Sequence, residues 1–132
     1  MVCEPAAIND IEQSATQVHA TSVTTPTWSD HVYSCTLKYP GGAEITMSVK
    51  ELSDTAETDA FFKEQGDKLG NTGNLNGLGQ GAFTTRDGVV VRKDYKVLTV
   101  DTSKLPASFG GETRGNVAIN VGAVIMSCWT GE

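Results

Sequence analysis

Three cysteines offer the most chemistry in this 132-residue chain. Cys3, Cys35 and Cys128 lie far apart and form no C-x-x-C pair, so neither a zinc site nor a dithiol redox centre is expected. Two uses fit them: one structural disulfide with a thiol left over, or three buried reduced cysteines acting as small hydrophobes. The disulfide is the favoured reading. A nucleophilic thiol needs a helix N-terminus or a neighbouring cation to lower its pKa. Cys128 falls near the end of a helical segment, where the dipole has the opposite sense, and Cys35 occupies a core-facing strand position. No catalytic cysteine is expected. Lipid attachment at Cys3 would want a small residue directly before it, and Val2 fits poorly.

The two histidines, His19 and His31, lie in or beside a polar connection with Asp30 as the nearest acidic neighbour, which is too little for a metal centre. No metal and no cofactor are expected. Gly77-Leu78-Gly79-Gln80-Gly81 superficially matches a phosphate-binding loop, but such loops are fed by a strand and followed by a helix N-terminus. Here a strand follows, so a connection between helix and hairpin is the simpler reading. Among the 16 acidic residues, Asp54, Glu57 and Asp59 fall at a helix start, while Asp87 and Asp94 are turn residues. No catalytic residue is assigned, although a carboxylate pair of the kind glycosidases use defines the enzymatic alternative.

The local excess of positive charge is Arg86, Arg92, Lys93 and Lys96, which a solvated strand face explains and which is also the first place to seek an anionic ligand. Trp28 and Trp129 are the large aromatics available to a contact surface. Against these few cations stands a net charge of -6, with no basic run to release counterions from a phosphate backbone. Nucleic acid is not an expected partner. The longest nearly apolar stretch, Val117 to Met126, is interrupted by Asn120 and falls well short of the roughly 20 residues of a membrane-spanning helix. No transmembrane segment is expected.

The elements that must position these residues follow from periodicity. One domain is expected from the length, and 39% hydrophobic with 20% charged residues is an ordinary globular balance. Pro5 to Val18 places Ile8, Ile11, Ala15 and Val18 at helical spacing. Thr21 to Asp30 reads as a loop or irregular edge strand. Tyr33, Cys35, Leu37 and Tyr39 then alternate with polar residues, Pro40-Gly41-Gly42 turns the chain, and Ala43, Ile45, Met47 and Val49 alternate again. This is a hairpin with one core face. Ser53 or Asp54 caps a second helix, with Ala56, Ala60, Phe61 and Leu69 as its apolar face, ending before Gly70. A flexible loop over Gly70 to Gly81 leads to a meander of Ala82 to Thr85, Val89 to Arg92 and Val97 to Asp101, with Asp87-Gly88 and Lys93 to Lys96 as its turns. Val117, Val121, Val124, Ile125 and Cys128 share one face of a third helix. The expected architecture is α+β: an antiparallel sheet of about five strands flanked by three helices, in the order α-β-β-α-β-β-β-α.

Val2-Cys3-Glu4-Pro5, Tyr33-Ser34-Cys35-Thr36, the Gly-Leu-Gly loop through Ala82, and Cys128-Trp129-Thr130-Gly131 together resemble small exported proteins and lipoproteins of actinobacteria. That resemblance implies a disulfide between Cys3 and Cys35, an alternative being Cys35 with Cys128, and a place in the cell envelope without a known activity. The element order resembles the fold shared by Mog1 and PsbP proteins. Met1-Val2-Cys3 opens directly on folded-looking sequence, as expected where a leader has been removed, and such a leader is a route to tethering. The expected function is a non-enzymatic extracytoplasmic binding or protein-interaction module, using a surface formed by the meander and the glycine loop. Its partner is another envelope protein or a small ligand. The alternatives are a small secreted hydrolase with a carboxylate pair, and a regulatory protein that occludes another exported protein.

Overall fold

The computed structural model describes residues 4–128, the side chain of Cys128 excepted. The described residues are α+β, with three α-helices and an eight-stranded, mostly antiparallel sheet among them. Helix α1 (Pro5–Ile11) runs into a π-helical turn (Glu12–Thr16) that stops at Gln17 in the left-handed region. The first helix is therefore shorter than its apolar spacing suggests, and Val18 lies beyond it. Strands β1 (Ser22–Val23) and β2 (Thr27–Ser29) both pair with β3 (Val32–Lys38), which pairs in turn with β4 (Glu44–Glu51). After α2 (Thr55–Leu69) come β5 (Gly73–Leu75), β6 (Gly81–Thr84), β7 (Gly88–Lys93) and β8 (Lys96–Asp101). The last of these lies against β4, joining the hairpin and the meander into one sheet of order β1-β3-β4-β8-β7-β6-β5.

The sheet exceeds the expected five strands because its edges are built from two- and three-residue strands, too short to display a period of two. β5 lies inside the segment expected to be a flexible loop, where Thr72 and Gly73 are tied to Thr84. A small ribbon, β9 (Ser108–Phe109) with β10 (Glu112–Thr113), precedes α3 (Arg114–Cys128), which begins three residues before its first core valine.

Alternation divides the strand residues between two faces. On one, Leu37, Ile45, Met47, Val49, Val89, Val91 and Leu98 are fully buried under Val117, Ala118, Val121 and Ile125 of α3 and Ile11 of α1. Val124 is only half-buried, because it sits on the flank of the α3 contact stripe rather than at its centre.

The other face is covered in part. Phe83, Val90 and Val97 pack with Leu52, Phe61 and Phe62. The inward surface of α2 is thus Thr58, Phe61, Phe62 and Gly66, whose Cα side faces Phe83, whereas Ala56, Ala60 and Leu69 of the expected apolar face are exposed. Asp54 is the N-cap, accepting from Glu57 N at 2.8 Å, and Glu57 Oε1 accepts from Ser53 N at 3.1 Å. Towards β3 the same face carries Ser34, Thr36, Thr46, Ser48 and Thr99, all half-buried, with the Thr36 and Thr46 hydroxyls 3.1 Å apart. Thr36 and Thr46 satisfy each other there, and small hydroxyl side chains tolerate water, so no helix is needed to cover them.

Candidate functional site

The glycine-rich loop and the meander turn meet. Gln80 N donates to Arg92 O at 2.8 Å, which lays the loop along β7. Its side chain then reaches the turn: Gln80 Nε2 donates to Asp94 Oδ1 at 3.2 Å, and Gln80 Oε1 accepts from Asp94 N at 2.8 Å. Asp94 holds φ +55°, a conformation that aspartate tolerates better than most residues, and this allows the two-residue connection between Lys93 and Lys96. Gly79 is required beside it, since a Cβ there would lie 2.6 Å from Arg92 O on a backbone at φ +58°.

Arg92 fastens α2 to this end of the sheet. Its guanidinium pairs with Asp59 on α2 and lies 5.5 Å from the Phe62 ring centroid, and its side chain is largely buried. Tyr95 projects at the tip and is 50% exposed, while its carbonyl accepts from Leu52 N at 2.7 Å. Between the turn and the start of α2 lies a groove of about 670 Å³, lined by Gln80, Arg92, Asp94, Tyr95 and Lys96 on one side and Glu51, Leu52 and Thr55 on the other. That volume is in the range of small-molecule sites, roughly 300 to 1,000 Å³. Two carboxylates and two cations line it, and one of the cations, Arg92, is already paired with Asp59.

The structure brings together some of the residues singled out from sequence and separates others. Arg92, Lys93 and Lys96 share the β7–β8 end, Lys93 and Lys96 being cross-strand partners. Arg86 lies in the turn that precedes β7, at the opposite end of that strand, beside Asp87. The four cations are not one patch. Trp28, 53% exposed, occupies the edge strand β2 and meets His31 edge to face at 5.9 Å. Its cross-strand partner Tyr33 belongs to the α3 side of the sheet, opposite the face that carries Arg92. Trp28 therefore cannot join the groove. Trp129 and Cys3 lie outside the described residues, as does the Cys128 side chain. Cys35 is buried on β3.

His19 pairs with Glu12 at 2.9 Å, and Glu12 also accepts from Ala20 N at 2.8 Å, so this carboxylate is occupied in joining the helical turn to the following chain. Among the described residues no three His, Cys, Asp or Glu side chains cluster as metal ligands, and no helix is long and apolar enough to cross a membrane.

Gln80, Asp94 and Tyr95 were not visible as site residues in the sequence. Gln80 read as loop filler and Asp94 as a turn former; the one available signal was a glutamine flanked by glycines immediately before a hairpin.

These geometric observations stand alone. No protein-family model matches the chain, and no curated protein or solved structure does.

Proposed function

We propose that this chain is a non-enzymatic, extracytoplasmic binding module of an actinobacterial cell envelope, and that the groove at the β7–β8 turn is its binding surface. The observation that carries the reading is the reciprocal Gln80–Asp94 pair, which fixes the glycine loop to the meander turn and holds polar side chains ready beside an exposed aromatic ring. Side chains held before a ligand arrives lose little conformational freedom on binding, which is the physical requirement for a small, selective site. A disulfide at Cys35 belongs to this reading, because such bonds persist outside the reducing cytoplasm. Within this reading Cys35 pairs with Cys3, as the resemblance implies, or with Cys128, and the native chain is held at the envelope through a preceding leader. The order of helices, hairpin and meander supports a fold of the Mog1 and PsbP kind, with β1, β2 and β5 as edge additions. A fold of that kind would not by itself assign a function.

The test is sedimentation with delipidated, protease-treated actinobacterial cell wall. The wild-type protein is expected to pellet with the wall and Tyr95→Ala to remain in the supernatant. Failure of the wild type to pellet, or equal pelleting of the two, overturns the reading.

A further inference from the structure

We propose that the groove takes a neutral sugar, one ring lying against Tyr95 and its hydroxyls hydrogen-bonded by Gln80, Asp94 and Arg92. The inference deepens the binding reading above and rests on it.

Charge decides first against an anion. Glu51, Asp94, Arg92 and Lys96 line the groove, and Arg92 is already paired with Asp59. Two carboxylates then stand against one lysine, so an anion finds no excess of positive charge. A ligand without formal charge avoids that repulsion.

Hydrogen-bonding capacity then narrows the class. In the reciprocal pair the Gln80 amide spends one N–H and one acceptor position on Asp94, keeping a second N–H and a second lone pair. Asp94 Oδ1 is engaged, and its other carboxylate oxygen retains acceptor capacity. Arg92 directs one of its five N–H donors at Asp59. Donors and acceptors therefore stand side by side on planar groups of fixed orientation. Each hydroxyl of a sugar is both donor and acceptor, and neighbouring hydroxyls project at a spacing that an amide or carboxylate can bridge. A purely apolar ligand would leave these groups desolvated without partners.

The aromatic ring supplies the remaining feature. Tyr95 is half exposed while its backbone is anchored through Leu52 N, so the turn that presents the ring is tied to the chain leading into α2. A pyranose has an apolar C–H face with hydroxyls around its rim, matching an aromatic plane beside a polar fork.

The experiment compares binding to delipidated, protease-treated wall before and after periodate oxidation, which cleaves vicinal diols and opens sugar rings while leaving the insoluble scaffold in place. Wild-type protein is expected to bind untreated wall and to lose that binding after oxidation. Tyr95→Ala should weaken binding to untreated wall about tenfold, whereas Tyr95→Trp, which keeps a planar face, should retain it. Binding that survives oxidation but still needs Tyr95 overturns the sugar assignment and leaves the groove as the binding surface. Absence of wild-type binding to untreated wall overturns the binding reading, and the sugar assignment with it.

Discussion

Gln80 and Asp94, fourteen residues apart, exchange two hydrogen bonds that close the glycine loop onto the meander turn. Both residues are exposed, so the pair contributes modestly to global stability and mainly to local order. Gln80→Ala is expected to cost about 1 kcal/mol in urea unfolding, while amide exchange quickens at Asp94 and Tyr95. Unchanged exchange at the turn would mean that Gln80 does not hold it.

Gly88 reads as half of an Asp-Gly turn, but its φ is not in the left-handed region, and its glycine requirement has another origin. A Cβ there would lie 1.8 Å from Val100 O, inside the backbone of the neighbouring strand. Gly88→Ala is expected to lose about 3 kcal/mol through forced separation of β7 and β8. Gly115, whose added Cβ would meet nothing within 4 Å, is the control. Gly115→Ala should be neutral or stabilising by about 0.5 kcal/mol in urea unfolding. Equal effects at the two positions would contradict the close approach.

Tyr39 is buried against Phe109, and its hydroxyl has no hydrogen-bond partner among the described residues. The Thr16 hydroxyl beside it is engaged with the main chain of Val18. Tyr39→Phe is therefore expected to be neutral or to stabilise by about 1 kcal/mol, and a comparable loss would show that the hydroxyl does have a partner. Burial pushes the phenol up to about 12. The unfolded chain releases this proton first as pH rises through about 10, so the folded state then binds more protons and stability falls. The tyrosine's contribution is complete below pH 10 and lost between about 10 and 12. Urea midpoints measured across that window should decline less in Tyr39→Phe than in the wild type.

Peptide mapping without reductant on protein purified from its native cells should recover Cys35 in a cross-linked peptide, joined to Cys3 or to Cys128. A free Cys35 thiol would remove the support for an extracytoplasmic compartment.

Much of the fold was legible where alternation was long. Cys35 and Leu37 facing Met47 and Ile45 across β3 and β4 follow directly from two runs of period two around a proline-glycine turn. β5 was not legible, because three residues carry no period and its pairing depends on β6 lying alongside. The inward face of α2 was misread for a related reason. Which of several apolar residues faces inward depends on where the sheet lies, and Phe83 selected Phe62 and Gly66 over Ala60 and Leu69.

The candidate site shows the same division. Arg92 was visible as a cation, but Asp59, 33 residues earlier, neutralises it, and no local pattern encodes that pairing. The turn carrying Asp94 was expected; its union with Gln80 was not, since only the folded sheet brings the loop alongside.

The most direct measurement of the central claim is an amide chemical-shift map of isotope-labelled protein titrated with solubilised, protease-treated actinobacterial wall. If the groove is the binding surface, the perturbed amides should gather at Gln80, Arg92, Asp94, Tyr95 and Lys96, with Thr55 across from them. Perturbations gathered instead at Trp28 and the β2 edge, or on the hydroxyl-lined strip of β3 and β4, would contradict it.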